Sequence, residues 1–121
     1  MPKLTLMSDT VKIVNLEEGL PDRAQAIARL QSALPRARKD GTKILKIVHG
    51  YGSSGVGGIL RPVVRNFLRQ AKERGEIRLF VNGETFSSFE ARSKELIAAS
   101  PALVLDRDLG AGNKGITLVL L

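Results

Sequence analysis

The chain has 121 residues, a length typical of one domain, and it lacks cysteine, which excludes disulfides and cysteine-ligated zinc or iron–sulfur sites. Its 19 lysines and arginines exceed its 12 acidic residues, so the formal net charge is +7 and the isoelectric point is about 10.3. This excess indicates an anionic partner such as nucleic acid, although a basic protein that its charge merely keeps soluble has the same composition. No apolar run is long enough to span a membrane, and Met1-Pro2-Lys3 does not lead into a signal peptide. We therefore expect a cytoplasmic protein that does not contact membranes.

The first part of the chain predicts a strand followed by a helix. Residues 1–10 are weakly patterned and are expected to be an extension, whereas residues 11–121 are expected to form a single domain. A strand is predicted at the start of this domain, over residues 11–16, because apolar and polar residues alternate there. A helix follows, because Asp22 and Gln25 have the spacing of a capping box.

A glycine-rich loop lies between a strand and a helix in the middle of the chain. Residues 43–48 are apolar and partly β-branched, which predicts a central strand. The loop, residues 49–58, holds five glycines. A strongly amphipathic helix is predicted from Leu60, with Pro62 in its first turn and Gly75 at its end.

The remaining pattern predicts a third strand over residues 77–82, a short helix that ends near Ala99, and two final strands over residues 102–105 and 116–121. Turn-forming residues at 108–115 suit a hairpin between the last two strands. The predicted fold is therefore a two-layer α/β sandwich. Its order is β-α-β-α-β-(α)-β-β, in a mostly parallel mixed sheet with an antiparallel C-terminal edge.

The loop is predicted to contact an anion. Backbone N–H groups and the dipole of the following helix converge there, and glycines allow close approach. A loop that needs positive φ at several positions has the same composition. The candidate contact residues are consecutive: Gly50, Tyr51, Gly52, Ser53 and Ser54.

Three other functional interpretations of this loop agree less well with the sequence. The G-x-G-x-x-G pattern follows the second strand instead of the first, and positions 70 and 72, about 20 residues later, are Gln and Lys instead of an acidic residue, which disfavours a dinucleotide site. No Gly-Lys-Ser/Thr ends the loop, so it is not a P-loop. No nucleophile-elbow pattern surrounds the serines, so a Ser–His–carboxylate triad is unsupported.

Charged residues extend the candidate site. His49, the only histidine, could act as a general acid or base or donate to a phosphate, or it could be a structural residue of a strand end. Arg61, Arg65 and Arg69 are spaced as one stripe on the helix after the loop, and Lys114 lies in the predicted hairpin turn. Because aromatic residues are few, contact with the nucleic-acid backbone is expected to dominate over base stacking. A second basic cluster is predicted at Arg36, Arg38, Lys39, Lys43 and Lys46.

Asp106 and Asp108 could together hold a divalent metal, but a pair of turn-capping carboxylates is the favoured interpretation. We therefore assign no metal ligand and expect no cofactor, except a divalent metal if the chain cleaves nucleic acid.

The segment from Ile44 to Arg61, with its His-Gly-x-Gly start and Gly-Gly-x-Leu-Arg end, resembles the Smr (small MutS-related) domain family. The likeness extends over residues 13–121 and includes the glycine-containing ending after Gly112. It implies a fold like the C-terminal domain of a bacterial initiation factor. It also implies DNA or RNA binding and, in some members, nicking endonuclease activity. The family motif maps onto His49, Gly50 and Gly52 and onto Leu60 and Arg61.

The chain departs from the family at the end of the first strand. Members often have Leu-Asp-Leu-His-Gly there, whereas this chain has Asn15 at the Asp position and Glu17 at the His position. Glu17 could replace the missing group as a base or metal ligand beside His49. Three hypotheses therefore stay open: a nucleic-acid-binding domain, an endonuclease, and a non-catalytic adaptor or small-anion binder that uses the same loop.

Overall fold

The computed structural model describes residues 10–19, 21–51 and 56–121, and of residues 56 and 57 only the backbone. Four strands form one sheet: β1 (Val11–Asn15), β2 (Ile44–Val48), β3 (Leu79–Asn82) and β4 (Ile116–Leu120). Three α-helices and one 3₁₀ helix accompany it: α1 (Arg23–Lys39), α2 (Val56–Glu73), α3 (Ala91–Ala99) and the 3₁₀ helix Pro101–Leu105. None of the helices in these ranges is long and apolar enough to cross a membrane.

The sheet has the strand order β1-β2-β4-β3. β1 and β2 are parallel, and β4 lies antiparallel between β2 and β3. The expected α/β class and mixed sheet are confirmed, but the C-terminal strand occupies the interior of the sheet and not its edge. All five residues of β4 are buried, as a strand covered on both faces requires.

One predicted strand is wrong. Residues 102–105 form most of the 3₁₀ helix that begins at Pro101, so the expected C-terminal hairpin does not exist. Proline suits the first turn of a helix because it has no N–H to leave unpaired, and its ring fixes a helical φ. Leu103 is the buried residue of this turn.

The two-layer prediction is also wrong, because apolar residues cover both faces of the sheet. One core lies between α1, α2 and the face of the sheet that carries Leu45, Ile47 and Val119. The other packs α3 and the 3₁₀ helix against the opposite face, with Phe86 and Leu96 at its centre. Residues 84–105 thus form a third layer.

The observed helix starts agree with the sequence signals for α1 but differ from them for α2. Asp22 caps α1, and its reciprocal hydrogen bonds with Gln25 form the predicted capping box. α2 begins at Val56, four residues before the predicted start. Pro62 therefore lies inside the helix and, lacking an N–H, cannot donate to the carbonyl of Gly58.

Candidate functional site

One edge of the sheet gathers most of the candidate residues. The parallel strands β1, β2 and β3 all end there, and the antiparallel β4 begins there, with Val48 paired to Ile116 and Asn82 paired to Thr117. We call this edge the carboxyl edge. The segment after β2, the turn before β4 and the loop after β3 therefore meet, although they are distant in the sequence.

His49, at the end of β2, is completely buried, and both of its ring nitrogens are hydrogen-bonded. Its Nδ1 lies 2.7 Å from the carbonyl oxygen of Gly50, and its Nε2 lies 2.9 Å from Oγ1 of Thr117. Because a carbonyl oxygen can only accept, the proton is on Nδ1, and the neutral ring accepts at Nε2 from the threonine hydroxyl. His49 in this arrangement has no free nitrogen to offer a ligand.

The hydrogen-bond chain continues from Thr117 to Arg65 and Glu84. Nε of Arg65 donates to Thr117 Oγ1 at 3.3 Å, and its two terminal nitrogens bind both carboxylate oxygens of Glu84 at 3.0 and 2.7 Å. The Arg65 side chain is only 14% exposed. Burial raises the pKa of Glu84, but the hydrogen bonds from Arg65 and the backbone, together with the charges of Arg65 and Arg61, hold that pKa below its ordinary value. Arg65 therefore connects α2 to β4 and to the loop after β3, and its guanidinium is used mainly in contacts within the protein.

The same network keeps His49 neutral. Burial, with a smaller effect from the Arg65 and Arg61 cations, lowers the pKa of His49 from 6.5 to about 4, against the opposing effect of the Gly50 carbonyl. Arg61 lies one helical turn before Arg65 on α2, and its charge contributes to this lowering.

The start of the glycine-rich loop is fixed to the turn before β4. The backbone N–H groups of His49 and Gly50 both donate to the carbonyl oxygen of Gly115, at 2.9 and 3.0 Å. The N–H of Gly115 donates to Oδ1 of Asn113 at 2.8 Å. The N–H of Gly50 is therefore used within the protein and is not directed at an anion.

Two cations at this edge are unpaired. Within residues 10–19, 21–51 and 56–121, the side chains of Arg61 and Lys114 form neither an ion pair nor a hydrogen bond with the protein. Lys114 is exposed and Arg61 is half-buried. Arg69 is exposed and donates to Oδ1 of Asn66 at 2.9 Å.

Of the predicted loop contacts, Tyr51 is 57% exposed and Gly50 is half-buried. The other three residues of that prediction, Gly52, Ser53 and Ser54, lie outside the described residues.

Glu17 lies just beyond β1 at the carboxyl edge, as its position in the sequence predicts. It is half-buried, and its backbone N–H donates to Oδ1 of Asn15 at 2.9 Å. Arg29 of α1 holds this loop by donating to the carbonyl oxygen of Glu18 at 2.7 Å. Glu17 thus shares an edge with His49, but the described atoms include no contact between their side chains.

The two carboxylates considered as metal ligands, Asp106 and Asp108, lie on the sheet face that packs against α3, where both bind Lys46. Nζ of Lys46 lies 2.9 Å from Asp106 and 2.5 Å from Asp108, and all three side chains are at least 85% buried. Burial raises the pKa of Asp108, but hydrogen bonds from Lys46 and Asn113, together with the charges of Lys46 and Arg107, keep that pKa below its ordinary value. The described residues contain no group of three or more acidic or histidine side chains that could hold a metal ion. Lys46 is thus a buried structural cation and is not part of a basic surface cluster.

Sequence patterns alone did not point to Thr117, Glu84 or Asn113. Thr117 had one usable signal, since it is the single polar residue in a strand that is otherwise Ile, Leu and Val. Glu84 and Asn113 lie in turn segments whose contacts depend on the tertiary fold.

Comparison with known proteins found one match. The model of the Smr domain family matches residues 19–84, more than half of the chain. This region contains His49 and the arginines of α2, and it excludes Glu17, Lys114 and Thr117. No curated protein and no solved structure matches the chain significantly.

Proposed function

The chain belongs to the Smr domain family, whose members generally bind nucleic acid and in some cases nick it, and from this premise we propose that it binds the backbone of DNA or RNA at its carboxyl edge. Residues 11–121 would act as a single domain. The likeness of this domain to the C-terminal domain of an initiation factor, and the cytoplasmic location, stay predictions.

The observation that carries the proposal is that Arg61 and Lys114 have no partner among the described residues and lie beside a loop whose first residues are fixed. A cation already satisfied by a carboxylate must give up that partner to bind phosphate, whereas Arg61 and Lys114 need not. The nearby carboxylate of Glu84 is bound by Arg65 through two hydrogen bonds, which reduces its repulsion of phosphate. Phosphate contacts of this kind position a nucleic acid without reading its sequence.

The other predicted contacts have different roles in this proposal. Arg69, exposed on the next turns of α2, extends the basic surface along the helix. Arg65 has a structural role beneath this surface, because its guanidinium is hydrogen-bonded to Thr117 and paired with Glu84. Gly50 shapes the loop, and Gly52, Ser53 and Ser54 remain candidate backbone contacts.

Binding is better supported than cleavage. A general acid or base needs a nitrogen within reach of the reacting proton, and both nitrogens of His49 are hydrogen-bonded inside the protein. A metal-assisted route needs a set of donors, but Asp106 and Asp108 are bound to Lys46 on one face of the sheet. The residues described here do not fit a metal site, so we derive no step through one. The catalytic roles of His49 and Glu17 stay predictions.

Affinity measured over a series of salt concentrations tests the proposal. Phosphate contacts release counterions, so the logarithm of the affinity should fall linearly with the logarithm of the salt concentration. Arg61→Ala and Lys114→Ala should each weaken binding and reduce the slope by about one. Lys94→Ala on α3 is the matched control, because it removes the same charge from an exposed site in the third layer.

Equal losses in all three variants would mean that only net charge matters and would contradict a site at the carboxyl edge. Absence of binding to any DNA or RNA would contradict the proposal altogether and favour an adaptor or a binder of small anions.

A further inference from the structure

We propose that Tyr51 stacks on an unpaired nucleobase, so that the chain prefers single-stranded segments to uninterrupted duplex; this inference rests on the proposed function. Tyr51 is the only tyrosine of the chain, and it directly follows the His49-Gly50 pair at the carboxyl edge. Its side chain is 57% exposed, so a large part of the ring is accessible to a ligand.

The ring rests on the turn before β4. A Cβ atom added to Gly115 would lie 3.4 Å from Cδ1 of Tyr51 and 3.4 Å from Cα of Gly50, so the ring lies against a glycine surface without a side chain between them. That glycine is held by hydrogen bonds from His49 and Gly50 to its carbonyl and from its own N–H to Asn113. The ring is therefore supported from one side by a fixed backbone, while much of its surface is open.

The charges around the ring favour a polyanion over an apolar protein partner. Lys114 precedes the glycine that supports the ring, and Arg61 lies near the end of β2 from which Tyr51 follows. Both cations are unpaired among the described residues, so a strand whose base stacks on the ring would bring its phosphates near positive charge. A base stacks on an aromatic ring with little dependence on sequence, because every base has a π face.

A preference for unpaired nucleotides follows from geometry. In a duplex each base is already stacked between its neighbours, so Tyr51 could reach it only after unstacking, which costs free energy. In a single strand, a gap or a loop, the base is accessible. Nucleic acid would thus be held by its backbone at Arg61 and Lys114 and by one base at Tyr51.

The experiment compares the intact chain and its variants on single strands and on a blunt duplex of the same length, in both DNA and RNA forms. Tyr51→Ala should weaken single-strand binding by about tenfold, within the range measured for loss of one stacked base, and should leave duplex binding within about twofold. Tyr51→Phe keeps the ring and should retain the single-strand preference. Thermal unfolding of each variant checks that the fold is intact, which we expect because the side chain is exposed.

A second measurement detects stacking directly. The chain contains no tryptophan, so Tyr51→Trp places the only indole at this position, and it can be excited where nucleic acid does not absorb. Single strands should quench its fluorescence. A strand of equal length with abasic sites should bind but quench weakly, because it offers phosphates without bases.

The outcomes separate the two proposals. Unchanged single-strand affinity in Tyr51→Ala, or equal quenching by the abasic strand, would overturn the stacking inference and leave backbone binding intact. Failure of the unmodified chain to bind any of the four nucleic acids would overturn the proposed function itself.

Discussion

His49 and Thr117 are 68 positions apart in the sequence, yet their side chains form a hydrogen bond of 2.9 Å in the buried part of the carboxyl edge. The threonine hydroxyl connects the imidazole to Arg65, since it donates to Nε2 of His49 and accepts from Nε of Arg65. Removal of this hydroxyl would leave a buried acceptor and a partly buried donor without a partner. We therefore expect the free energy of unfolding to depend on this hydrogen bond.

We predict that Thr117→Val lowers the free energy of unfolding by about 1–3 kcal/mol, the usual cost of leaving a buried polar group unsatisfied. Valine has nearly the same shape, so packing in β4 should change little. Urea unfolding monitored by circular dichroism gives the value. Thr117→Ser keeps the hydroxyl and should lose clearly less stability than Thr117→Val. A loss in Thr117→Val no larger than that in Thr117→Ser would contradict a dominant contribution of the hydrogen bond.

The second prediction concerns pH. The folded protein keeps His49 neutral down to a pKa of about 4, whereas the unfolded chain takes up a proton near the ordinary value of 6.5. Between these values the unfolded state binds more protons, so stability is fully present above about pH 6.5 and falls as the pH drops toward 4. The difference in pKa corresponds to about 3 kcal/mol.

Unfolding free energies measured across this range for the unmodified chain and for His49→Asn test the pH prediction. The asparagine amide can still donate to the Gly50 carbonyl but does not titrate. The variant should be less stable at pH 7 and should lack the step between pH 6.5 and 4. An identical pH dependence in both proteins would assign the step to other groups.

The long-range contacts explain which parts of the site the sequence could predict. The strand–loop–helix around His49 was predictable because each part has a local signal: a short apolar run, clustered glycines and a helical apolar face. The burial of His49 was not, because its partner Thr117 lies on a strand whose neighbours no local pattern specifies. Arg65 fits the predicted helical stripe by spacing, but its direction is set by Glu84, which is 19 residues away.

The incorrect prediction of a strand at residues 102–105 also arises because the local pattern does not specify one structure. A run of four apolar residues suits a buried strand and a buried helical turn equally well, and periodicity cannot separate them. Pro101, at the first position of the turn, was the available signal for the helical alternative. The interior position of β4 was indicated weakly by its nearly continuous apolar sequence, which is typical of strands covered on both faces.

The third prediction concerns Lys46, the buried cation on the sheet face that packs against α3. Lys46→Met would leave Asp106 and Asp108 next to each other without a positive partner, so we expect a loss of about 3–5 kcal/mol. Lys43→Met is the matched control, because Lys43 immediately precedes the same strand but is exposed, and it should change stability by less than about 0.5 kcal/mol. Chemical denaturation at pH 7 measures both. Similar stabilities for the two variants would contradict the structural role of Lys46.

The fourth prediction separates the roles of neighbouring arginines on α2. Arg65→Ala should lower the free energy of unfolding by about 2 kcal/mol, since it leaves Glu84 without its partner and removes one donor to Thr117, whereas Arg61→Ala should change it little. In a double-mutant cycle with Glu84→Ala, the losses should be less than additive because the two residues contact each other. Additive losses, or a greater effect of Arg61→Ala on stability, would contradict this assignment.

The fifth prediction concerns metal removal and cleavage. Because the surface cations and not a metal ion would contact the phosphates, EDTA should leave nucleic-acid affinity unchanged within about twofold at constant ionic strength. The same samples, incubated with supercoiled plasmid and with structured RNA in the presence of magnesium or manganese, report on cleavage. Nicking that depends on metal and is lost in a folded His49→Asn variant would show that His49 leaves its hydrogen bonds to Gly50 and Thr117 when substrate binds. Nicking that persists in that variant but is lost in Glu17→Gln would instead place the chemistry at the end of β1.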